Sequence, residues 1–524
     1  MNEFYELLNN LLLTSSTKRK VNLIKIYFDK SEIDEKAWAF AILSNRLNRK
    51  YLTSSDLKEL VKIKIDEELF KYSYDYVGDL AETISLLWKN DNKEIKNFKL
   101  SKFMISLKNI QNKTELKNYI NQILNQSSEN QRYCILKILT GGLRVGVSNG
   151  LIKEALIKYG SRSSDEIDQL WYGFRSPFND LFNWLDGEKL PSYIDKKKLF
   201  HSFMLANNFK YEDFKKEDCN QFLAEFKWDG IRAQIIFSKD GKIFSRNGDD
   251  ITKSFPDINT YENNYFILDG ELVVKKDNKI LSFNELQKRI GRKIPSKKLI
   301  QEYPVHFISY DILNYKGRDL KSLKLLERKH FLKKFINYKK LSNISFSDLI
   351  NFSNWDDLKN IRENSFSNHI EGVIIKNKSS IYQKGRVING WYKWKRNPFS
   401  IDLIIMYAQR GHGKRSSFYS DFTLGCWVDN NSNKLVPITK AYSGYSNDEL
   451  KKLDFWIRGN TLERFGPVRS VKPGLVVEIS FDNINHSSRH KSGVALRFPR
   501  FSRIRWDKPI SEVSVLKDIK NLIN

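Results

Sequence analysis

The stretch Glu225-Phe226-Lys227-Trp228-Asp229-Gly230-Ile231-Arg232 decides how this chain is read. The run Phe222–Phe226 is strand-like, Gly230 marks a turn, and Ile231–Phe237 is a second strand-like run. A lysine therefore sits between a strand and a glycine turn, with an aspartate two residues on. An amine that takes up a nucleotidyl group must be neutral, and neighbouring cations with partial burial are how a protein supplies one. A surface hairpin would carry the same letters, so the choice between the two depends on the rest of the chain.

Four further stretches stand in order along it. In Phe266-Ile267-Leu268-Asp269-Gly270-Glu271-Leu272-Val273-Val274, two acids flank a glycine inside a run that otherwise reads as core. Charges in an apolar strand need a ligand or a partner. The same logic applies to Ile370-Glu371-Gly372-Val373-Ile374-Ile375-Lys376. Glu271 and Glu371 converging on one place would suit Mg²⁺, which takes few carboxylates together with phosphate oxygens. In Gly390-Trp391-Tyr392-Lys393-Trp394-Lys395, strand alternation puts Lys393 and Lys395 on one face and the aromatics on the other. Near the C-terminus, Arg489-His490-Lys491 and the run Arg497-Phe498-Pro499-Arg500-Phe501-Ser502-Arg503-Ile504-Arg505-Trp506-Asp507-Lys508 interleave arginines with aromatics, a pattern suited to nucleotide or nucleic-acid contact.

These stretches lie on distinct parts of the chain. Residues 1–202 read as helical, with Phe4, Leu7, Leu8, Leu11 and Leu12 on one face. Ser31-Glu32-Ile33-Asp34 and Ser163-Ser164-Asp165-Glu166 look like capping-box starts. Gly141-Gly142-Leu143-Arg144-Val145-Gly146-Val147 reads as a helix end and tight loop. Residues 203–397 alternate short strands with turns and helical stretches such as Leu323–Ile336, an α+β domain dominated by antiparallel sheet. After the linker-like Lys395-Arg396-Asn397-Pro398-Phe399-Ser400, residues 398–524 show short strands that suit a small barrel such as an OB-fold.

Composition narrows the partners. Lys plus Arg total 89 against 62 Asp plus Glu, a net charge of +27 that favours a polyanion. No apolar run approaches the roughly 20 residues that span a bilayer, and the N-terminal Met1-Asn2-Glu3-Phe4-Tyr5-Glu6 is acidic where a signal peptide is basic. The reading is a cytoplasmic protein with no membrane partner. Cys134, Cys219 and Cys426 are too few and too dispersed for a zinc module or a disulfide framework.

Taken together and in order, these motifs resemble those of the ATP-dependent DNA ligases of the covalent nucleotidyltransferase superfamily, in their compact three-domain form. The resemblance covers nearly the whole chain, most strongly 203–508. It implies a helical DNA-binding domain, an adenylation domain and an OB-fold. It implies that Lys227 is adenylated by ATP, that Glu225 reads the adenine amino group, and that Tyr310 in Ile308-Ser309-Tyr310-Asp311-Ile312 stacks on the base. Arg232 and Arg246 would hold the ribose and the nick phosphate, and Glu271 would touch ribose or metal. Glu371 would position Mg²⁺, with Mn²⁺ as the alternative ion. Lys376, Lys393 and Lys395 would surround the α-phosphate, and Arg505 and Lys508 would orient the leaving pyrophosphate. Arg144, Arg232 and Arg246 are the implied DNA contacts. The implied partner is nicked double-stranded DNA bound by a monomer, at the nucleoid if the source is bacterial. One departure is Phe203-Met204-Leu205-Ala206, where relatives carry Pro before Met; a local change in the interdomain linker is expected. RNA ligases and mRNA guanylyltransferases share the lysine motif, but the helical N-terminal part and Arg497-Phe498-Pro499-Arg500 speak against both. An NAD-dependent ligase would carry a four-cysteine zinc module. A non-catalytic nucleic-acid-binding protein on a degenerate ligase scaffold would not retain every motif residue.

Overall fold

The computed structural model describes residues 1–524 apart from 48–49, 63, 90–94, 196–198, 291, 293, 366–368, 412–414, 416, 430–433 and 524. A helical N-terminal region is followed by an α/β region and a strand-rich C-terminal region. The contacts group the chain into two compact units: Met1–Ile167, Phe174–Pro191 and Pro398–Ile523 in one, Asp168–Gly173 and Ser192–Asn397 in the other. Among the described residues no helix is long and apolar enough to cross a membrane.

In the helical region, Asn2–Leu13 buries Phe4, Leu7, Leu8 and Leu11, the face given by its three-and-four spacing. The box at Ser163 forms: Glu166 N donates to Ser163 Oγ, and Ser163 N donates to Glu166 Oε2. The one expected at Ser31 does not. The helix Ile33–Leu43 is capped at Glu32 without a side-chain bond, and Ser31 Oγ is buried without a partner. The acids there have other tasks. Glu32 pairs with Lys99, and Glu35 accepts from the backbone N–H groups of Leu100 and Ser101, capping a different helix. The helix Glu129–Thr140 ends at Gly141 with φ +65°, as its glycine pair predicts. The loop beyond it is held by Lys20, whose Nζ donates to Val145 O at 2.7 Å and Gly146 O at 2.9 Å.

Among the described residues the second unit holds two main sheets and a two-stranded pairing of Met204–Leu205 with Gly385–Arg386. The larger orders its principal strands as Ile344–Phe346, Val305–Tyr315, Phe266–Lys276, Ile231–Phe237 and Lys242–Ser245. The smaller orders Leu349–Ile350, Phe222–Trp228, Ile370–Asn377, Trp391–Lys395 and Asn207–Asn208. Helix Leu325–Lys339 packs Leu332 and Phe335 onto the larger sheet with Ile235, Phe237 and Phe266. Helix Trp355–Asn364 packs Trp355 and Leu358 on the smaller sheet with Phe222 and Val373. A third core joins the two sheets, with Ile236 and Ile267 from one and Trp391 from the other.

Buried ion pairs fix that junction. Asp269 and Asp311 are direct cross-strand partners, both fully buried. Like charges so placed repel, and each needs its own cation. Asp269 receives Arg232 Nε at 3.1 Å and Nη2 at 2.8 Å, and Tyr382 Oη at 2.7 Å. Asp311 receives Arg328 Nε and Nη2, both at 2.9 Å, while Arg328 Nη1 donates to Ser380 O at 3.0 Å. Ser380 and Tyr382 lie on the segment between two strands of the smaller sheet, so both pairs tie that segment to the larger one.

The C-terminal region opens with the long strand Phe399–Arg410, which pairs along one edge with Val476–Phe481 and Val468–Val471 and along the other with Tyr419–Trp427. The helix Asn447–Gly459 buries Leu450, Leu453 and Ile457 in this region's core. Its start is a full capping box of Ser446 and Glu449.

Asp311→Ala should destabilise the two-sheet unit by about 3–5 kcal/mol, because it leaves a fully buried guanidinium without its carboxylate. Urea denaturation followed by tryptophan fluorescence measures this. A loss below about 1 kcal/mol would show that the Leu323 and Ser380 carbonyls alone satisfy Arg328.

Candidate active site

The site lies where the two sheets meet, and strand register places its residues. On the smaller sheet Gly372 is the cross-strand partner of both Lys227 and Lys395, and Ile374 of both Glu225 and Lys393. With a side-chain period of two, Glu225, Lys227, Lys376, Lys393 and Lys395 share one face. Tyr392 and Trp394 point away into the core under helix Trp355–Asn364, as alternation predicts. Trp391 does not: it is on the lysine face, in the core that joins the sheets.

Two irregularities re-aim side chains that regular pairing would misplace. Ile370 pairs with Trp228 and Gly372 with Lys227, so Glu371 is the extra residue of a bulge. Its carboxylate Oε2 lies 2.6 Å from Lys227 Nζ and 3.5 Å from Lys395 Nζ. On the larger sheet Asp269 pairs with Asp311 and Gly270 with Ser309, so Tyr310 is the extra residue there. The bulge at Glu371 depends on glycine. Gly372 has φ +144°, and a Cβ on it would lie 2.2 Å from Trp394 O. A Cβ on Gly270 would meet Ile308 O at 2.5 Å.

The charges sort into two groups. In the first, Glu225 is buried and its Oε1 takes Lys329 Nζ and, at 3.2 Å, Lys376 Nζ. Lys376 Nζ also lies 4.5 Å from the Tyr310 ring centre and 4.3 Å from that of Trp391. Burial draws its pKa down to about 8, with Glu225 opposing and Lys329 assisting. Lys376 thus sits with Glu225 and the rings, where the sequence motifs grouped it with Lys393 and Lys395.

The second group holds Lys227, Glu371, Glu271, Lys393 and Lys395. Cations cluster here: the pKa of Lys393 is lowered by burial and then by Lys395, Arg386, Lys227 and Arg246. The direct partner of Lys227 is the Glu371 carboxylate. Glu271 is the cross-strand partner of Arg232. Loss of hydration pushes its carboxyl up to about 8, against the pull of Lys227 and Arg232 and with the help of Glu371 and Asp269. Arg232 Cζ stands 4.3 Å over the Phe203 ring and 5.6 Å from the Tyr310 ring. Phe203 is therefore a buried wall of this site, and the departure noted at this position is more than a change of linker. Arg246 is exposed on the turn after Lys242–Ser245. Gly248 on the same turn is packed so closely that a Cβ would lie 2.1 Å from Tyr172.

Arg505, Lys508 and Arg144 belong to the other unit. Arg505 makes a bidentate pair with Asp507, at 3.1 and 2.9 Å, and Lys508 Nζ lies 2.8 Å from Asp402 Oδ2. Arg144 has φ +37° in the loop after Gly141, beside a cavity of about 670 Å³ lined also by Ile42, Lys50 and Val147.

Sequence reasoning missed Lys329, Arg328, Tyr382 and Arg386. A signal existed for two of them. In Leu325–Lys339 the buried positions are Leu325, Arg328, Lys329, Leu332 and Phe335, so two cations stand in the apolar stripe of a helix.

A lysine on a sheet face whose ammonium meets the Glu371 carboxylate, with further cations one strand away, is an arrangement suited to chemistry at a phosphate. The comparisons with known proteins are more specific. Family models described as DNA ligase N terminus, ATP dependent DNA ligase domain and ATP dependent DNA ligase C terminal region match residues 1–157, 203–395 and 415–508. A probable DNA ligase of Koribacter versatilis is 33% identical over 423 residues, covering 73% of this chain and 70% of its own. A DNA ligase of Methanococcus aeolicus is 31% identical over 412 residues, covering 76% and 72%. The solved structure Pmar-Lig_PreS3, 17% identical, shares the fold at a TM-score of 0.60 over 96% of this chain and 99% of its own. The chain belongs to the ATP-dependent DNA ligase family: it is a ligase that uses ATP and acts on DNA.

Gly372→Ala should reduce formation of a protein–AMP adduct at least about tenfold, because the added methyl displaces the strand that carries Lys395 and disturbs the bulge that aims Glu371. Labelled ATP and gel analysis measure it. Gly459→Ala, at a helix position where a Cβ meets nothing within 4 Å, is the control and should leave adduct formation unchanged. Equal labelling of both variants would refute the account of the bulge.

Proposed function

We propose that the protein seals 5′-phosphate/3′-hydroxyl nicks in duplex DNA by three in-line displacements at phosphorus, with Lys227 as the nucleophile of the first. The observation that carries this reading is the Lys227–Glu371 contact, on a face where Lys393 and Lys395 converge and Glu225 is buried nearby. The neutral Lys227 amine attacks the ATP α-phosphorus; an N–P bond forms and the bond to the β-phosphate bridging oxygen breaks. Glu371 Oε2 is placed to take the amine's proton. Pyrophosphate leaves. The nick 5′-phosphate then attacks the same phosphorus and displaces the lysine. The 3′-hydroxyl finally attacks the activated 5′-phosphate, releasing AMP.

Each displacement gathers negative charge on phosphoryl oxygens, which Lys393 and Lys395 offset. Glu225 accepts from the adenine amine, and Tyr310 offers its ring to the base. Arg232, fixed by Asp269, and Arg246 hold the ribose and the nick phosphate.

The acids fit a divalent metal. Glu271 and Glu371 are oxygen donors close enough for Glu371 to raise the pKa of Glu271, which a shared cation would relieve. Among the described residues no group of three His, Cys, Asp or Glu could hold an ion alone, so the phosphates would supply its remaining oxygens. Mg²⁺, or Mn²⁺ in its place, would neutralise phosphoryl charge there.

The C-terminal region is read as an OB-fold, residues 398–524, after an adenylation domain of 203–397 and a DNA-binding domain of 1–202 in which Arg144 touches DNA. The enzyme would act as a monomer in the cytoplasm, on the chromosome, in repair, replication or both. Arg505 and Lys508 orient the pyrophosphate, which requires the C-terminal domain to close over ATP in the first step and withdraw to admit DNA.

Lys227→Ala should abolish adduct formation and sealing while DNA binding persists; an acid-labile protein–AMP adduct in this variant would end the assignment. Arg505→Ala and Lys508→Ala should slow self-adenylation roughly ten- to a hundredfold, as expected for a lost charge-assisted contact. Sealing of a pre-adenylated nick should be nearly unchanged in both, because β- and γ-phosphates exist only in the first step. Equal falls in the two rates would contradict the pyrophosphate role.

A further inference from the structure

The Glu225 carboxylate has an asymmetric environment. Both ammonium groups that reach it, Lys329 and Lys376, bond Oε1. No hydrogen bond reaches Oε2 among the described residues, and Oε2 is not one of the sealed, unpartnered polar atoms. The side chains are almost wholly enclosed: 5% exposed for Lys329 and 2% for Glu225 and Lys376. A second constraint holds Lys329 itself, since its Nζ lies 4.7 Å from the Phe346 ring centre. The helix that carries it is anchored one residue earlier by the Arg328–Asp311 pair.

We propose that Lys329 is a positioning residue that sets the choice of nucleobase: by holding Oε1 of Glu225, it presents Oε2 as an acceptor only, which accepts a purine carrying a 6-amino group and rejects one carrying a 6-oxo group. A carboxylate in an ion pair has no proton to donate. Facing adenine, Oε2 receives an N–H. Facing hypoxanthine or guanine, it meets a carbonyl oxygen, and two acceptors confront each other where the bound base displaces water. A buried polar group left unpaired in this way is what gives a hydrogen-bonding site its selectivity. Lys376 also bonds Oε1, but its longer contact and its two aromatic neighbours make it the weaker anchor.

This rests on the reading of Glu225 as the residue that meets the base, and the test separates the two. ATP and ITP differ at the 6-position, amino against oxo. Self-adenylation kcat/KM is measured with each nucleotide for the wild type, Glu225→Gln, Lys329→Met and Lys329→Arg, all as full chains. The wild type should prefer ATP. Glu225→Gln can turn an amide N–H toward the 6-oxo group and should narrow the ATP/ITP ratio by about tenfold or more. Lys329→Met should narrow it likewise, and Lys329→Arg should restore it. A merely structural role for Lys329 would lower both rates together and leave the ratio unchanged, which would overturn the proposal. A ratio that narrows in Glu225→Gln but not in Lys329→Met overturns the role of Lys329 and keeps the reading of Glu225. An unchanged ratio in both overturns that reading as well. A ratio that narrows only in Lys329→Met overturns the route through Glu225. Should Lys329→Met fail to fold, Lys329→Leu, which likewise removes the donor, carries the same comparison.

Discussion

Two aspartates side by side in neighbouring strands, Asp269 and Asp311, would drive those strands apart if either lacked its cation. Each is fully buried and each is met by two nitrogens of one guanidinium. The same two networks reach the segment that links Ile370–Asn377 to Trp391–Lys395, through Tyr382 Oη and Ser380 O. The pairs therefore act less as sources of net stability than as registers. A buried ion pair gains little over apolar packing, but it tolerates only one arrangement of its partners. Here that arrangement sets one sheet against the other, with the site residues where the two meet.

The meeting of the sheets is chemically useful because its strands are irregular at two points. An undisturbed strand would send Glu371 to the opposite face from Lys227, since neighbours alternate. The bulge turns it back, and Gly372 permits the bulge by leaving empty the space where a side chain would strike Trp394 O. The bulge at Tyr310 acts on the larger sheet, opposite Gly270. The glycines in Asp269-Gly270-Glu271 and Glu371-Gly372-Val373 are thus contact points of main chain against its surroundings, and the acids beside them owe their direction to those contacts.

Much of this was legible in the sequence. Alternation placed Lys393 and Lys395 on one face, and the motif acids were recognised as charges that need partners. The strand Ile231–Phe237 and the helix end at Gly141 also follow from local chemistry, whereas the strand expected to end at Phe226 runs on to Trp228 and takes in Lys227. The remainder is tertiary. Nothing in Glu225-Phe226-Lys227 announces that Lys376, five residues beyond Glu371, bonds Glu225 Oε1. Its placement depends on the ring of Tyr310 and on Trp391, which shares the lysine face. Ser31 illustrates the opposite failure. Its spacing to Asp34 fits a cap, yet Glu32 and Glu35 are drawn to Lys99 and to the N-terminal amides of another helix. The cations Arg328 and Lys329 were within reach of pattern reading, since they occupy the buried stripe of their helix. They were passed over because charge is ordinarily read as surface.

The distribution of charge separates chemistry from capture. Where the two sheets meet, five cations have a carboxylate: Lys227 with Glu371, Arg232 with Asp269, Arg328 with Asp311, Lys329 and Lys376 with Glu225. Arg505 and Lys508 pair with Asp507 and Asp402, the first of these acids exposed. Enclosed charges must be matched because water is not there to hydrate them. The net charge of +27 is therefore carried outside these pairs. Charges in solvent interact over about 8–10 Å at ordinary ionic strength and weaken as salt rises. Pairs that are fully buried, such as Arg328 with Asp311, do not. Long-range attraction to a polyanion thus rests mainly on charges outside the buried pairs, and salt weakens it.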